Sequence, residues 1–112
     1  MKTQTDEVVM DDVVLFAVVE RGKADAIVKK AIDAGATGAT IFFGRGTGEK
    51  TIPFFRSLNI ESAKEIIIIV CRHERSRSIY EALKAAGQCH KHGKGLVFML
   101  PVLAVDGLTG DA

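Results

Sequence analysis

Glu65-Ile66-Ile67-Ile68-Ile69-Val70-Cys71 is the stretch that decides the fold of this chain. Its core is β-branched, and it has the length of a strand rather than of a membrane span. Successive side chains of a strand point to opposite faces, so a run that is apolar at nearly every position is greasy on both sides. The same reading applies upstream to Val13-Val14-Leu15-Phe16-Ala17-Val18-Val19, which Glu20-Arg21-Gly22 closes.

Outward from these two runs the period changes. Ala24, Ile27, Val28, Ala31 and Ile32 fall on one face of a helix, with Lys29, Lys30 and Asp33 toward water. Gly35 follows as the stop. Thr37 to Phe43 reads as a second strand that runs into Gly44-Arg45-Gly46-Thr47-Gly48, and a polar loop containing Pro53 and Asn59 comes next. Ser76 to Ala86 restores the helical period, with Ile79, Ala82, Leu83 and Ala86 inward and Gly87 as its end. Beyond the basic turn His90 to Lys94, Gly95 to Leu100 forms a fourth strand, closed by Pro101.

The order β-α-β-β-α-β predicts an α+β, ferredoxin-like fold: a four-stranded antiparallel sheet with two helices on one face. Two helices cannot cover both faces of strands that are apolar on both. Burying each Ile or Val contributes roughly 1.5–3 kcal/mol, and leaving several exposed makes an aggregation-prone patch. The second face is therefore expected to meet other copies of the chain.

A length of 112 residues suits one domain, and 47% hydrophobic against 26% charged residues places it among globular chains. A net charge of +1 gives no electrostatic case for nucleic acid or for an anionic membrane. No run approaches the roughly 20 apolar residues of a membrane span, so no membrane insertion is expected. Met1 to Asp12 carries Asp6, Glu7, Asp11 and Asp12, unlike a signal peptide. Cys71 and Cys89 make no disulfide framework, which points to a reduced, cytoplasmic setting. A single domain over 1–112 is expected, ordered from about 13 to 108, with Met1–Asp12 and Thr109–Ala112 loose.

Two glycine-bearing segments could carry chemistry. Gly44-Arg45-Gly46-Thr47-Gly48-Glu49-Lys50-Thr51 is one residue short of a P-loop, and a loop rather than a helix follows it. What survives is a backbone free of bulk whose amides can approach an anion. His90-Lys91-His92-Gly93-Lys94-Gly95 offers lysine charge and glycine amides to phosphate oxygens. An ordinary glycine turn and a solvated basic turn are the competing readings. Cys71-Arg72-His73 and Cys89-His90-Lys91-His92 lack the spacing of a structural zinc site, so no metal is implied. No third group is present to orient a Cys–His pair, and no catalytic constellation stands out; a non-enzymatic role is expected. Leu96 and Leu100 stand where an RNA-recognition sheet needs stacking aromatics, leaving only Phe98.

Gly35-Ala36-Thr37-Gly38-Ala39-Thr40 followed by Arg45-Gly46-Thr47-Gly48 resembles the G-[VI]-T-G-M-T…[RK]-G-F-G stretch of PII nitrogen-regulatory proteins. Gly93-Lys94-Gly95-Leu96-Val97-Phe98-Met99-Leu100-Pro101-Val102 resembles their G-D-G-K-I-F-V-x-P/D-V segment. The likeness runs from about Val13 to Leu108. It implies a homotrimeric signalling protein with an adenine nucleotide between subunits. The base would sit beside Gly38, Thr40 and Val70, and the phosphates would meet Arg45, Gly46, Thr47, Gly48 and Gly93 to Gly95, with Lys91 matching a family lysine and Lys94 replacing an acid. Residues 47–63 correspond to the T-loop, through which such proteins contact a target; a membrane transporter is the expected kind of partner.

The chain departs from that pattern at Leu96, where the family has a phosphate-binding lysine, and at Gly107 and Thr109, where it has arginines. ADP or AMP is therefore expected over ATP. Tyr80, the only tyrosine, falls on a helix, which rules out uridylylation in the loop, and Lys50 replaces the glutamine used with Mg-ATP and 2-oxoglutarate. The alternatives are a sensor of another small anion on the same trimer (bicarbonate with AMP, or a cyclic dinucleotide), a CutA-like metal-binding trimer, or a cryptic enzyme.

Overall fold

The computed structural model describes residues 11–46, 62–91 and 93–108. In chain order the elements are β1 (Asp12–Glu20), α1 (Ala24–Asp33), β2 (Thr40–Gly46), β3 (Ser62–Arg72), α2 (His73–Ala86) and β4 (Gly95–Pro101). The strands form one sheet in the order β2-β3-β1-β4, antiparallel at every junction. This is the ferredoxin-like α+β arrangement the order of elements predicts.

The core lies between the helices and one face of the sheet. Val13, Leu15, Ala17 and Val19 of β1 and Ile67, Ile69 and Cys71 of β3 point into it, every second residue as the pleat requires. Ala24, Ile27 and Ala31 of α1 and Ile79 and Leu83 of α2 close it from above, and small alanines on α1 let that helix sit close to the sheet. The N-terminus of α1 has no local side-chain cap. Instead the Ala24 amide donates to Glu65 Oε1 at 2.8 Å, a carboxylate delivered from β3.

Several boundaries differ from the sequence reading for identifiable reasons. β2 starts at Thr40, not Thr37, because Gly35 takes a left-handed φ of 124° and the Ala36 amide folds back onto the Ala31 carbonyl. β2 then continues through Gly44, Arg45 and Gly46 as strand. α2 starts at His73 rather than Ser76, directly after extended Arg72. The His73 amide there donates to the Asp11 carbonyl at 2.7 Å, so residues distant in sequence fix the junction. Asp12 is not loose: it opens β1, and its carbonyl accepts from the Val102 amide. Ser62 and Ala63, assigned to the loop over 47–63, belong to β3; residues 47–61 of that loop lie outside the described residues.

Candidate functional site

The sheet face away from the helices is apolar over its centre. Register places Val14 of β1 between Val70 and Leu100, Phe16 between Ile68 and Phe98, and Val18 between Ile66 and Leu96. On β2, Phe42 stands opposite Ile66 and Thr40 opposite Ile68. Phe42, Leu96, Phe98 and Leu100 are 39–56% exposed. The rings of Phe16 and Phe98 stack at 5.1 Å, within 9° of parallel. Among the described residues, both helices lie on the other side, and the strands carry on this side the second greasy face that Ile66, Ile68 and Val70 foretold.

The basic turn between α2 and β4 has a defined backbone. The Gly87 amide returns to the Leu83 carbonyl, Cys89 to Lys84, Lys91 to Gln88 and Lys94 to Lys91. Gln88, not Gly87, is the residue past α2 with a left-handed φ, at 54°. Gly95 must be glycine, because a Cβ there would stand 2.6 Å from the Gly87 carbonyl oxygen and 3.2 Å from Cys89 Sγ. The amides of Lys91 and Lys94 are therefore spent inside the turn, and the turn offers side-chain charge more than amide donors. Of that charge, Lys94 Nζ lies 3.7 Å from Glu20 Oε2. Val19, Glu20, Lys23, Ile27, Gly87, Gln88 and Lys94 border a groove of about 110 Å³ beside the turn. Burial pushes the Cys89 thiol above its usual range against the pull of Lys84.

The other glycine segment is less of a loop than its sequence implies. Gly44 and Gly46 are paired in β2, opposite Lys64 and Ser62. The Ile66 side chain lies over the backbone of Gly44, its Cδ1 2.7 Å from where a Cβ would be, a contact that rotation of the isoleucine end would relieve. The Lys64 side chain runs along Gly46, its Cγ 3.6 Å from where a Cβ would be. Lys64 thus joins Arg45 and Gly46 as a cation at this end of the sheet, a residue that sequence reasoning passed over. Its position two residues before the isoleucine run, on the face shared with Ile66, was the available signal.

Of the candidate residues, Lys91, Gly93, Lys94 and Gly95 come together in the turn, and Arg45 and Gly46 close β2. Both groups lie at the same end of the sheet, because Gly95 pairs with Val19, Val19 with Glu65, and Glu65 with Phe43. They sit on opposite edges, however, three strand spacings or about 14 Å apart. Thr40 and Val70 share the bare face toward the other end, with Gly38 just before β2. Thr47, Gly48 and His92 lie outside the described residues. Among the described residues no three of His, Cys, Asp and Glu converge as a metal set, and no helix is long and apolar enough to cross a membrane.

The family model for nitrogen regulatory protein P-II matches residues 13–111. The chain belongs to this family. Among solved structures, that of Arabidopsis thaliana PII bound to citrate superimposes with a TM-score of 0.65 at 22% identity, over 82% of this chain and 78% of that one. At that identity the likeness concerns the fold, and it agrees with the sheet order and helix placement of the P-II chain. No curated protein sequence matches the chain. Membership makes this P-II chain a protein of the nitrogen-regulatory signalling kind.

Proposed function

We propose that the chain works as a cytoplasmic homotrimer, sensing an adenine nucleotide in clefts between subunits and acting on a target protein without catalysing a reaction. The observation that carries this reading is the bare apolar face. Phe42, Leu96, Phe98 and Leu100 form an exposed apolar patch of the kind that marks an interface, and copies packed through that face bring the edge of one sheet to the edge of the next. Arg45 and Gly46 on the edge strand β2, with Lys64 beside them on β3, and Lys91, Gly93, Lys94 and Gly95 at the other edge then border one cleft, although about 14 Å of sheet separates the two edge strands in a single chain. Gly38, Thr40 and Val70 supply small, unobstructing surface for a base.

Two features favour ADP or AMP over ATP: Leu96 offers no charge, and Lys94 is partly neutralised by Glu20. Thr47 and Gly48 begin the segment to 61 that we assign to the target, for which a membrane transporter is the candidate. A second reading, a small organic or inorganic anion such as a carboxylate or bicarbonate, draws on the citrate bound to the Arabidopsis relative. Titration calorimetry with AMP, ADP, ATP, citrate and bicarbonate tests both. Saturable heat with an adenine nucleotide, lost in Lys91→Ala/Lys94→Ala, supports the first; heat with citrate or bicarbonate alone overturns it in favour of the second.

A further inference from the structure

At the sheet end where β1 stops, one carboxylate stands between two lysines. Register sets Glu20 opposite Lys64 of β3. From the other side Lys94 reaches over from the turn, its Nζ 3.7 Å from Glu20 Oε2, with the two side chains 47% and 40% exposed. Because the Lys91 and Lys94 amides already donate within the turn, the turn meets an anion mainly with its lysine side chains, among them the Lys94 ammonium. A carboxylate of the same chain already engages it.

We infer that Glu20 is a built-in competitor for Lys94, so that it sets how much negative charge the cleft accepts. The inference rests on reading the turn as a phosphate contact. A ligand phosphate must take the ammonium from Glu20, and once it has done so the freed carboxylate stays close enough to repel the rest of the ligand's charge. The penalty grows with each further phosphate, which gives the preference for AMP and ADP a physical cause. Glu20 touches no ligand in this scheme; it selects through Lys94. A partly exposed pair is weak, so the effect is a factor of about two to five in affinity.

The test is calorimetry at low ionic strength with AMP, ADP and ATP on the full chain, comparing wild type, Glu20→Gln, Lys94→Met and the double variant, each checked by sedimentation for unchanged assembly. Glu20→Gln is expected to tighten ADP by about two- to fivefold, to tighten ATP more than AMP, and to lose that gain when Lys94→Met is also present. Lys94→Arg, which preserves the charge and the fold, is expected to keep the wild-type order of the three ligands. An unchanged ATP-to-AMP ratio in Glu20→Gln overturns the inference, and so does a gain that persists undiminished without Lys94. Wild-type protein that binds none of the three nucleotides overturns the nucleotide reading itself, whereas nucleotide binding with an inert Glu20 overturns only the competitor.

Discussion

Phe16 and Phe98 stack face to face across β1 and β4, 5.1 Å between ring centroids, in the middle of the sheet surface that the helices leave bare. Phe98 is still 39% exposed there. In the proposed trimer the pair marks the centre of the subunit contact, since aromatic surface of this size is the part of an interface that contributes most.

Changing Phe98 to Asp should therefore break the assembly without breaking the subunit. The side chain lies outside the helix-side core, so far-ultraviolet circular dichroism should keep its wild-type shape. Sedimentation velocity should show a shift to smaller species, while Phe98→Leu should sediment as wild type. A Phe98→Asp protein that assembles normally would place the interface elsewhere.

The helix-side core should respond in the opposite way. Ile79 is fully buried between α2 and the sheet, whereas Ile32 on α1 is 47% exposed. Ile79→Ala should cost about 2–5 kcal/mol in urea unfolding, and Ile32→Ala well under about 1.5 kcal/mol, from partial transfer alone. Equal losses at the two sites would contradict the layer assignment.

Much of this layering is legible in the residues themselves. Ile66 to Val70 announces a strand buried on both sides, and the spacing of Ala24, Ile27 and Ala31 announces the helix that covers only one of them. What sequence could not show is tertiary. The start of α2 depends on an amide–carbonyl bond from His73 to Asp11, and the cap of α1 comes from Glu65, 41 residues away. Gly44 looked like part of an anion loop, yet it is paired within strand β2. The two candidate phosphate segments were legible as glycine and lysine clusters; the pairing of Lys94 with Glu20 was not, because it joins a turn to the end of β1.

Removing the long-range cap should loosen α1 selectively. Glu65→Ala frees the Ala24 amide, which loses its 2.8 Å acceptor. The expected cost is about 0.5–2 kcal/mol, with hydrogen exchange rising in the first turn of α1 before the rest of the helix. Uniform exchange along α1 and α2 would argue that Glu65 matters only for packing.

The turn before β4 should tolerate no side chain at its last glycine. Gly95→Ala drives a Cβ to 2.6 Å from the Gly87 carbonyl oxygen, and backbone cannot give way as a flexible side chain can. A loss of about 1–3 kcal/mol is expected, read from the urea midpoint. An unchanged midpoint would mean that the approach of Gly87 and Gly95 is not a constraint.

Both thiols should label slowly in the folded protein. Burial, with Asp12 adding to it, pushes Cys71 up, and burial pushes Cys89 up. A thiol raised in the folded state is protonated there at pH values where the unfolded chain already holds thiolate. Its contribution to stability is complete below the unfolded pKa and is lost as pH rises through the folded one, so the urea midpoint should fall on the alkaline side of the thiol range. Iodoacetamide at pH 8 should modify unfolded protein faster than folded, with Cys71, only 2% exposed, the slower of the two. Fast labelling of folded Cys71 would contradict the core as described.

The central claim is that the bare sheet face is covered by further copies, and sedimentation equilibrium of the full chain at micromolar concentration measures that directly. The account predicts a single species of three times the 12.1 kDa chain mass. A well-behaved particle of one chain mass would contradict it, and would leave Arg45, Gly46 and Lys64 with no partner edge to face.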